Sequence, residues 1–206
     1  MKKVEVFTDW LWEDDCPPDI LDIALKFAKA GTYYTGQHNY TSYPEQFFSD
    51  EFDPVRNWVD AKLDEVRREL DWEFDSLKST VYWTTMSTRG QWHHAHCHGL
   101  SMVSGILYLT PSGSETWFSR EGIWGPEHTL LPLHKTSEPF TLFHKRKTEV
   151  GKLILFPSRL LHSVTEHDMD QPRHSLSFNA FPSGQIGSYS DKHSRRLLHI
   201  TVNQKQ

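Results

Sequence analysis

The chain has 206 residues, of which 37% are apolar, and it contains 8 Trp, 7 Tyr and 12 Phe. This content can fill one buried core, which excludes a disordered chain and predicts a single domain over residues 1–206. The net charge of −5 comes without a dense basic run, so the sequence gives no indication of nucleic-acid binding.

The cysteine content and the N-terminal residues predict a protein of the cytoplasm. Cys16 and Cys97 do not form the pattern of a disulfide framework, which favours a reducing compartment. The start of the chain lacks a continuous apolar stretch, because acidic residues between Asp9 and Asp15 interrupt it. We therefore expect neither a signal peptide nor a membrane span. The sequence does not indicate an oligomeric state.

The first predicted elements are a short strand and a helix. Lys3–Phe7 alternates as a strand does, and Pro17 and Pro18 precede a helix that ends near Ala30. The stretch from residue 31 to 52 is rich in Tyr, Gly, Ser and Asn, and we expect it to be irregular. Such a segment can be an ordered packing loop or a lid over a substrate, and the packing loop is the simpler interpretation.

A second helix is predicted from about Asp53 to Leu70. Its apolar residues recur at helical spacing along one face, which predicts that this face packs on a sheet. These residues are Val55, Trp58, Val59, Leu63, Val66 and Leu70.

From Ser79 onward, short apolar runs alternate with Gly and Pro turns. The runs are Val81–Met86, Met102–Thr110, Thr116–Phe118, Phe140–Phe143, Lys152–Phe156, Leu161–Val164, Ser175–Phe181 and Leu198–Val202. Short strands at this spacing are typical of a jelly roll. We predict a mainly β fold, a double-stranded β-helix with N-terminal helices packed on one sheet. Residues 1–78 would form the supporting part, 79–181 the jelly-roll core, and 182–206 an extension that can add a strand.

A cluster of histidines between residues 93 and 98 predicts a metal site. On an extended segment His94, His96 and His98 would share one face and His93 would lie on the other. Imidazole is a good ligand for iron, zinc, copper or nickel, and His162, from a distant strand, would complete the site. Cys97 is interpreted as a small buried residue rather than a ligand.

The last long apolar run carries a candidate anion-binding residue. Arg173 and Ser175 share one face of this strand, whereas Leu176 lies on the opposite, core-facing side. A guanidinium that faces a cavity can bind a planar anion with two hydrogen bonds. The alternative is an ordinary ion pair with Glu166 or Asp170.

Two motifs resemble those of the 2-oxoglutarate/Fe(II)-dependent oxygenases of prolyl-hydroxylase-like type. His96–Leu109, in which paired histidines precede Ser104-Gly105-Ile106-Leu107-Tyr108, is similar to the metal-binding motif. Gly151–Ser158, followed by His162 and Arg173–Asn179, is similar to the closing motif of the same family. The resemblance covers about residues 79–181 and implies a jelly roll that binds Fe(II) and 2-oxoglutarate.

By position, the resemblance implies that His96 and His162 are iron ligands and that Arg173 binds the distal carboxylate of 2-oxoglutarate, with Ser175 assisting. Tyr108 is the aromatic residue expected to reach the keto acid. The implied reaction uses O2, decarboxylates 2-oxoglutarate to succinate and hydroxylates a C–H bond. No catalytic residue is expected beyond the ligands of the metal and the co-substrate.

The chain departs from the superfamily pattern at His98, where most members have Asp or Glu. Three interpretations are open. His98 can be the third ligand, it can lie outside the coordination shell with water or an anion in the vacant position, or His94 and His96 can be the true pair. We predict the set His96, His98 and His162, which leaves the site one unit more positive than a site with a carboxylate.

Two other functions are compatible with the same residues. One is a cupin-like enzyme with a three-histidine metal, a dioxygenase or an isomerase, that does not use 2-oxoglutarate. The other is a non-catalytic jelly-roll module whose histidines hold zinc, for which a closed four-ligand site would be expected. The presence of Arg173 favours the oxygenase over these two alternatives, because neither of them requires an arginine at this position. The expected primary substrate is a small molecule or a peptide side chain.

Overall fold

The chain folds into two antiparallel sheets that face each other. The computed structural model describes residues 9–36, 38–119, 143–187 and 197–204. In this part of the chain the larger sheet has eight strands and the smaller sheet has four. The predicted fold class, a jelly roll backed by N-terminal helices, is confirmed.

Both helices lie in the first 69 residues, with three short strands before and between them, and the other strands follow. The elements are β1 (Trp12–Asp15), α1 (Pro18–Ala30), β2 (Tyr33–Thr35), β3 (Tyr40–Ser42), α2 (Asp53–Glu69), β4 (Phe74–Ser87), β5 (His93–His96), β6 (Val103–Tyr108), β7 (Glu115–Ser119), β8 (Phe143–Lys147), β9 (Lys152–Pro157), β10 (Leu161–Val164), β11 (Arg173–Ile186) and β12 (Leu197–Ile200). Two 3-10 segments, Pro44–Phe48 and Asp50–Phe52, lead into α2. The larger sheet has the strand order β1-β9-β6-β11-β4-β3-β2, with β12 paired to β11, and the smaller sheet has the order β5-β10-β7-β8.

Both helices cover the outer face of the larger sheet. The apolar stripe of α2 is buried at Val55, Val59, Leu63 and Val66. It belongs to the same hydrophobic cluster as Leu176 of β11. Each such side chain contributes roughly 1.5–3 kcal/mol when fully buried, so this face fixes the helix on the sheet.

Strand β11 separates the core from the interior of the jelly roll. Leu176, Phe178 and Ala180 are buried on the helix side. Because side chains alternate along a strand, Arg173 and Ser175 lie on the opposite face and point between the two sheets. This alternation gives the interior its polar wall.

The segment after α1 is more ordered than its composition suggests. Instead of an irregular stretch, it forms β2 and β3, which extend the larger sheet beside β4. The Tyr33 hydroxyl donates to the backbone carbonyl of Ala28 at 2.6 Å, which holds the segment against α1. It is an ordered packing element.

Strand β1 was not predicted from the sequence. Its acidic side chains hide the strand pattern, and Trp12–Asp15 pairs with β9 at the edge of the larger sheet. The predicted strand Lys3–Phe7 and the first residues of the predicted strand Phe140–Phe143 lie outside the described residues. Among the residues that the structure describes, no helix has both the length and the apolar character that a membrane crossing requires.

Candidate metal centre and co-substrate pocket

Three imidazoles converge at one end of the smaller sheet. His96 at the end of β5 pairs directly with His162 in β10, and their ring centroids are 4.2 Å apart. His98 follows β5 in the loop, and its Nε2 lies 3.3 Å from Nε2 of His162. One nitrogen from each of the three rings lies within 4.8 Å of the other two. The predicted residues His96, His98 and His162 are thus brought together.

Hydrogen bonds hold the loop that carries His98 against the turn that precedes β10. The His98 backbone N–H donates to the carbonyl of Ser158 at 3.0 Å. The Ser158 hydroxyl lies 2.7 Å from that of Ser101 and 2.9 Å from that of Ser104. These contacts fix the position of His98 relative to the strand that carries His162.

The tautomers of two of these histidines suit metal binding. His96 Nδ1 lies 2.9 Å from the carbonyl oxygen of His94, and His162 Nδ1 lies 3.0 Å from the carbonyl oxygen of Leu160. A carbonyl oxygen can only accept, so each Nδ1 carries the proton. Each Nε2 is left with a free lone pair, which is the arrangement that orients a metal-bound imidazole.

Burial keeps these imidazoles uncharged. Burial first, and then the neighbouring His96, lower the pKa of His162 to about 3 and that of His98 to about 4. The pKa of His96 is also held below its ordinary value by burial. Neutral imidazoles are the form that binds a metal ion.

The donor set fits a divalent transition-metal ion. Two nitrogens bound at right angles to one ion, with bonds of about 2.1 Å, lie roughly 3 Å apart. The separation of 3.3 Å between His98 Nε2 and His162 Nε2 is close to this value. Imidazole donors suit iron, nickel, copper or zinc rather than calcium or magnesium.

Arg173 lies in the same pocket and its charge is not neutralised by the described residues. Its side chain is buried, with 3% exposure, and Nη2 donates to the Ser175 hydroxyl at 3.4 Å. Its Nε has no hydrogen-bond partner. Asp170, one possible partner, instead pairs with Arg89 at 2.7 Å. A buried donor without an acceptor is unfavourable, so this guanidinium is suited to an anionic partner.

The pocket lies between the two sheets, and both contribute to its wall. Its lining residues are Trp83, Thr85, His93, His96, His98, Gly105, Ile106, His162, Val164, Arg173, Ser175 and Ser177. Tyr108 does not line it, and the Tyr108 hydroxyl lies 2.7 Å from the Thr116 hydroxyl, so it joins β6 to β7. The structure therefore brings Arg173 and Ser175 to the pocket but not Tyr108.

The expected faces of His93 and His94 are wrong. Along β10 the step from His162 to Val164 spans two residues, but the paired step from His96 to His93 spans three. This bulge turns His93 into the pocket, whereas His94 does not line it. The sequence carries no Gly or other signal at this bulge that could have revealed it.

Cys97 also differs from the prediction, because it is exposed rather than buried. It lies beyond the end of β5, where strand alternation no longer applies. Thr85, which sequence analysis did not place in the pocket, faces it from β4 together with Trp83, an aromatic residue that the sequence offered as a candidate for the cavity. They pair with Ser175 and Ser177 of β11, so the alternation of β11 could have located them once the strand pairing was known.

Residues 81–179 match the model of a family described as "Putative 2OG-Fe(II) oxygenase". The match supports the resemblance to the 2-oxoglutarate/Fe(II) oxygenase family that the two sequence motifs indicate. The matched residues include the three converging histidines, Arg173 and Ser175. The predicted family and its cofactors, Fe(II) and 2-oxoglutarate, are confirmed, and the pocket contains groups that fit both.

Solved structures share the fold at low sequence identity. A prolyl-4-hydroxylase from Pseudomonas putida is 16% identical with a TM-score of 0.59, covering 86% of this chain and 95% of that one. The non-heme alpha-ketoglutarate-dependent epimerase SnoN from nogalamycin biosynthesis is 10% identical, with a TM-score of 0.65 and coverage of 95% and 92%. HygX from Streptomyces hygroscopicus, with nickel, 2-oxoglutarate and hygromycin B bound, is 11% identical, with a TM-score of 0.56 and coverage of 84% and 82%. No curated protein matches the chain by sequence.

Proposed function

We propose that this protein is an Fe(II)- and 2-oxoglutarate-dependent oxygenase that hydroxylates a C–H bond. The observation that carries the proposal is a buried guanidinium, that of Arg173, whose Nε has no acceptor, in the pocket where three imidazoles converge. A metal site beside a receptor for a carboxylate is the arrangement that a chelating keto acid requires.

Five residues of the pocket bind the metal ion or the co-substrate in this proposal. His96, His98 and His162 would hold Fe(II) through Nε2, and Arg173 with Ser175 would bind the distal carboxylate of 2-oxoglutarate. When bound, Fe(II) would supply the activation of O2 that oxidative decarboxylation of the keto acid needs. The overall reaction converts 2-oxoglutarate, O2 and a C–H bond into succinate, CO2 and an alcohol, with one oxygen atom entering each of succinate and the alcohol.

The protein contributes orientation and a pocket that limits water. Arg173 fixes one end of the keto acid, so that the other end faces the imidazoles. The side chains of Trp83, Ile106 and Val164 give the pocket apolar walls. A pocket of this kind strengthens the interaction between the guanidinium and the carboxylate, because the local dielectric is low.

The competing functions are less well supported. A three-histidine enzyme that does not use a keto acid would leave the buried Arg173 without a function unless its own substrate were an anion. A structural zinc site would need a fourth ligand. In the described part of the chain, the group of residues that can share one ion contains three histidines.

The substrate is proposed to be a small molecule or a peptide side chain. Proteins of similar fold include a prolyl-4-hydroxylase and HygX with hygromycin B bound, which supports both classes of substrate.

A cytoplasmic location of the protein is supported by the exposed free thiol of Cys97, since exposed thiols persist under reducing conditions.

Succinate release and co-substrate binding test the proposal. The protein is incubated with Fe(II), ascorbate, O2 and 2-oxoglutarate, and binding of 2-oxoglutarate to the Ni(II)-loaded protein is measured by calorimetry. We expect binding in the wild type, its loss in Arg173→Met, and succinate that depends on both Fe(II) and the keto acid. Absence of 2-oxoglutarate binding to the metal-loaded wild type would refute the proposal.

A further inference from the structure

A fourth imidazole, that of His93, faces the pocket without belonging to the metal cluster. Its ring centroid is 4.3 Å from that of His96. The three nitrogens close enough to share an ion belong to His96, His98 and His162, among the described residues. The His93 ring makes no hydrogen bond to any described residue, whereas His96 and His162 each use Nδ1 for a backbone carbonyl. His93 therefore has a free N–H to offer.

The strand register places His93 one step further along the smaller sheet than the metal cluster. It pairs with Val164, which is two residues beyond His162 on β10, a step of roughly 6.6 Å along the strand. Val164 pairs in turn with Thr116 of β7. His93, Val164 and Thr116 thus lie side by side across the smaller sheet, and we call this row the second level. The first level is the row of His96 and His162, whose imidazoles would hold the ion.

Ser175 lies opposite the second level, on strand β11 of the larger sheet. The Thr116 hydroxyl contacts that of Tyr108 at 2.7 Å across the two sheets, and Tyr108 pairs with Ser175 on β11. His93 and Ser175 therefore face the same part of the pocket from opposite sheets. Arg173, two residues before Ser175 on the same face of β11, also lines the pocket.

This arrangement matches the length of the co-substrate. A 2-oxoglutarate molecule chelated at its keto-acid end extends its short carbon chain by about one such level, which brings its second carboxylate to His93, Ser175 and Arg173. A carboxylate can accept several hydrogen bonds, and one guanidinium does not use all of its lone pairs. The bulge in β5 is what brings the His93 donor to this place.

We infer that His93 donates an N–H hydrogen bond to the distal carboxylate of 2-oxoglutarate, opposite Arg173 and Ser175. This inference rests on the proposed function. It makes His93 a specificity residue, because its contact exists only for a keto acid that carries a second carboxylate. A keto acid with a methyl group at that position would gain nothing from His93 and would leave its N–H without an acceptor.

The test compares two keto acids on the Ni(II)-loaded protein by calorimetry. They are 2-oxoglutarate and 2-oxopentanoate, which has a methyl group in place of the distal carboxylate. His93→Leu removes the donor, His93→Gln retains one, and His94→Leu removes an imidazole that does not line the pocket. We expect His93→Leu to weaken 2-oxoglutarate binding about tenfold and 2-oxopentanoate binding less than about twofold. His93→Gln should recover part of the loss, and His94→Leu should bind both acids as the wild type does.

Ni(II) affinity is measured for each variant, because His93 contacts a proposed metal ligand. Equal weakening of both keto acids, loss of Ni(II) binding in His93→Leu, or unchanged 2-oxoglutarate binding would each overturn the inference. The variant Arg173→Met distinguishes a failure of the proposed role of His93 from a failure of the proposed function. If that variant loses 2-oxoglutarate binding while His93→Leu does not, only the role of His93 fails. If the wild type itself does not bind 2-oxoglutarate, the proposed function fails.

Discussion

Nε2 of His98 lies 3.3 Å from Nε2 of His162, although the two residues are 64 positions apart in the chain. A backbone hydrogen bond from His98 to Ser158 ties the loop after β5 to the turn before β10, so this approach is built into the backbone. At the position of His98 most members of the superfamily have a carboxylate. A neutral imidazole there leaves the site one unit more positive, which favours binding of an anionic co-substrate.

We predict that His98 and His162 are both needed for metal binding. His98→Gln and His162→Gln should each weaken Ni(II) binding about 100-fold or more, because removal of a ligand has a larger effect than the 10–100-fold loss typical of an outer-shell partner. Calorimetry or competition with a chelator measures the change.

Two further variants are the controls for this prediction. His94→Gln and His199→Gln, the latter at an exposed position, should change Ni(II) affinity less than about twofold. Wild-type affinity in His98→Gln would instead place His98 outside the coordination shell. A large loss in His94→Gln would favour the alternative pair of His94 and His96.

The stability of the metal-free protein should fall as the pH drops from 7 to 5. Burial lowers the pKa of His93 and of His162 to about 3 and that of His98 to about 4, whereas in the unfolded chain each is near 6.5. Below pH 6.5 the unfolded chain therefore binds protons that the folded protein does not accept, and the free energy of unfolding decreases towards pH 4. Above pH 7.5 these groups are neutral in both states and contribute no slope.

Urea unfolding at several pH values measures this effect. Each such histidine contributes at most about 1.4 kcal/mol per pH unit within the window. The variant His162→Phe removes one of these groups and should show a shallower slope between pH 7 and 5. An equal slope in wild type and variant would contradict the assigned shift of His162.

The regular parts of the fold were predictable because their signals are local. The apolar stripe of α2 and the turn residues around β9 and β10 each specify an element without reference to the rest of the chain. Strand β1 was missed because this edge strand alternates exposed Glu13 and Asp15 with half-buried Trp12 and Asp14, so that three of its four residues are acidic and the apolar pattern is lost.

The site was predictable as a set of residue types but not in its finer geometry. Arg173 and Ser175 could be placed by alternation along one continuous strand. His93 could not, because its direction depends on a bulge that forms only when β5 pairs with β10. Cys97 was misplaced for a related reason, since the strand ends before it.

We predict that Arg173→Met makes the protein without ligand more stable while it abolishes 2-oxoglutarate binding. Arg173 is buried, its Nε has no acceptor, and its charge has no described carboxylate partner. Replacement by an apolar side chain of similar length removes this penalty, for a gain of about 1–3 kcal/mol in the free energy of unfolding. Urea unfolding checks the stability and calorimetry checks the binding.

Arg56 supplies the matched control for this variant. It is equally buried, but its guanidinium donates to the Asp53 carboxylate and to the backbone carbonyl of Phe47. Arg56→Met leaves these acceptors without a donor and should destabilise the protein by about 1–3 kcal/mol. If both variants were destabilised alike, Arg173 would be a structural residue rather than an anion receptor.

Gly105 is expected to tolerate no larger side chain, because a Cβ atom at this position would collide with the ring of Phe178 on the neighbouring strand β11. Phe178 is fully buried against the helices, so its ring has no room to retreat. Gly105→Ala should therefore lower the free energy of unfolding by about 1–3 kcal/mol, as overpacked core substitutions do.

In the background of Phe178→Leu, the substitution Gly105→Ala should be less destabilising, and the double-mutant cycle measures the difference in the free energy of unfolding. Gly99→Ala is the control, because no atom lies within 4 Å of its added Cβ, and a change of comparable size there would remove the collision as the explanation.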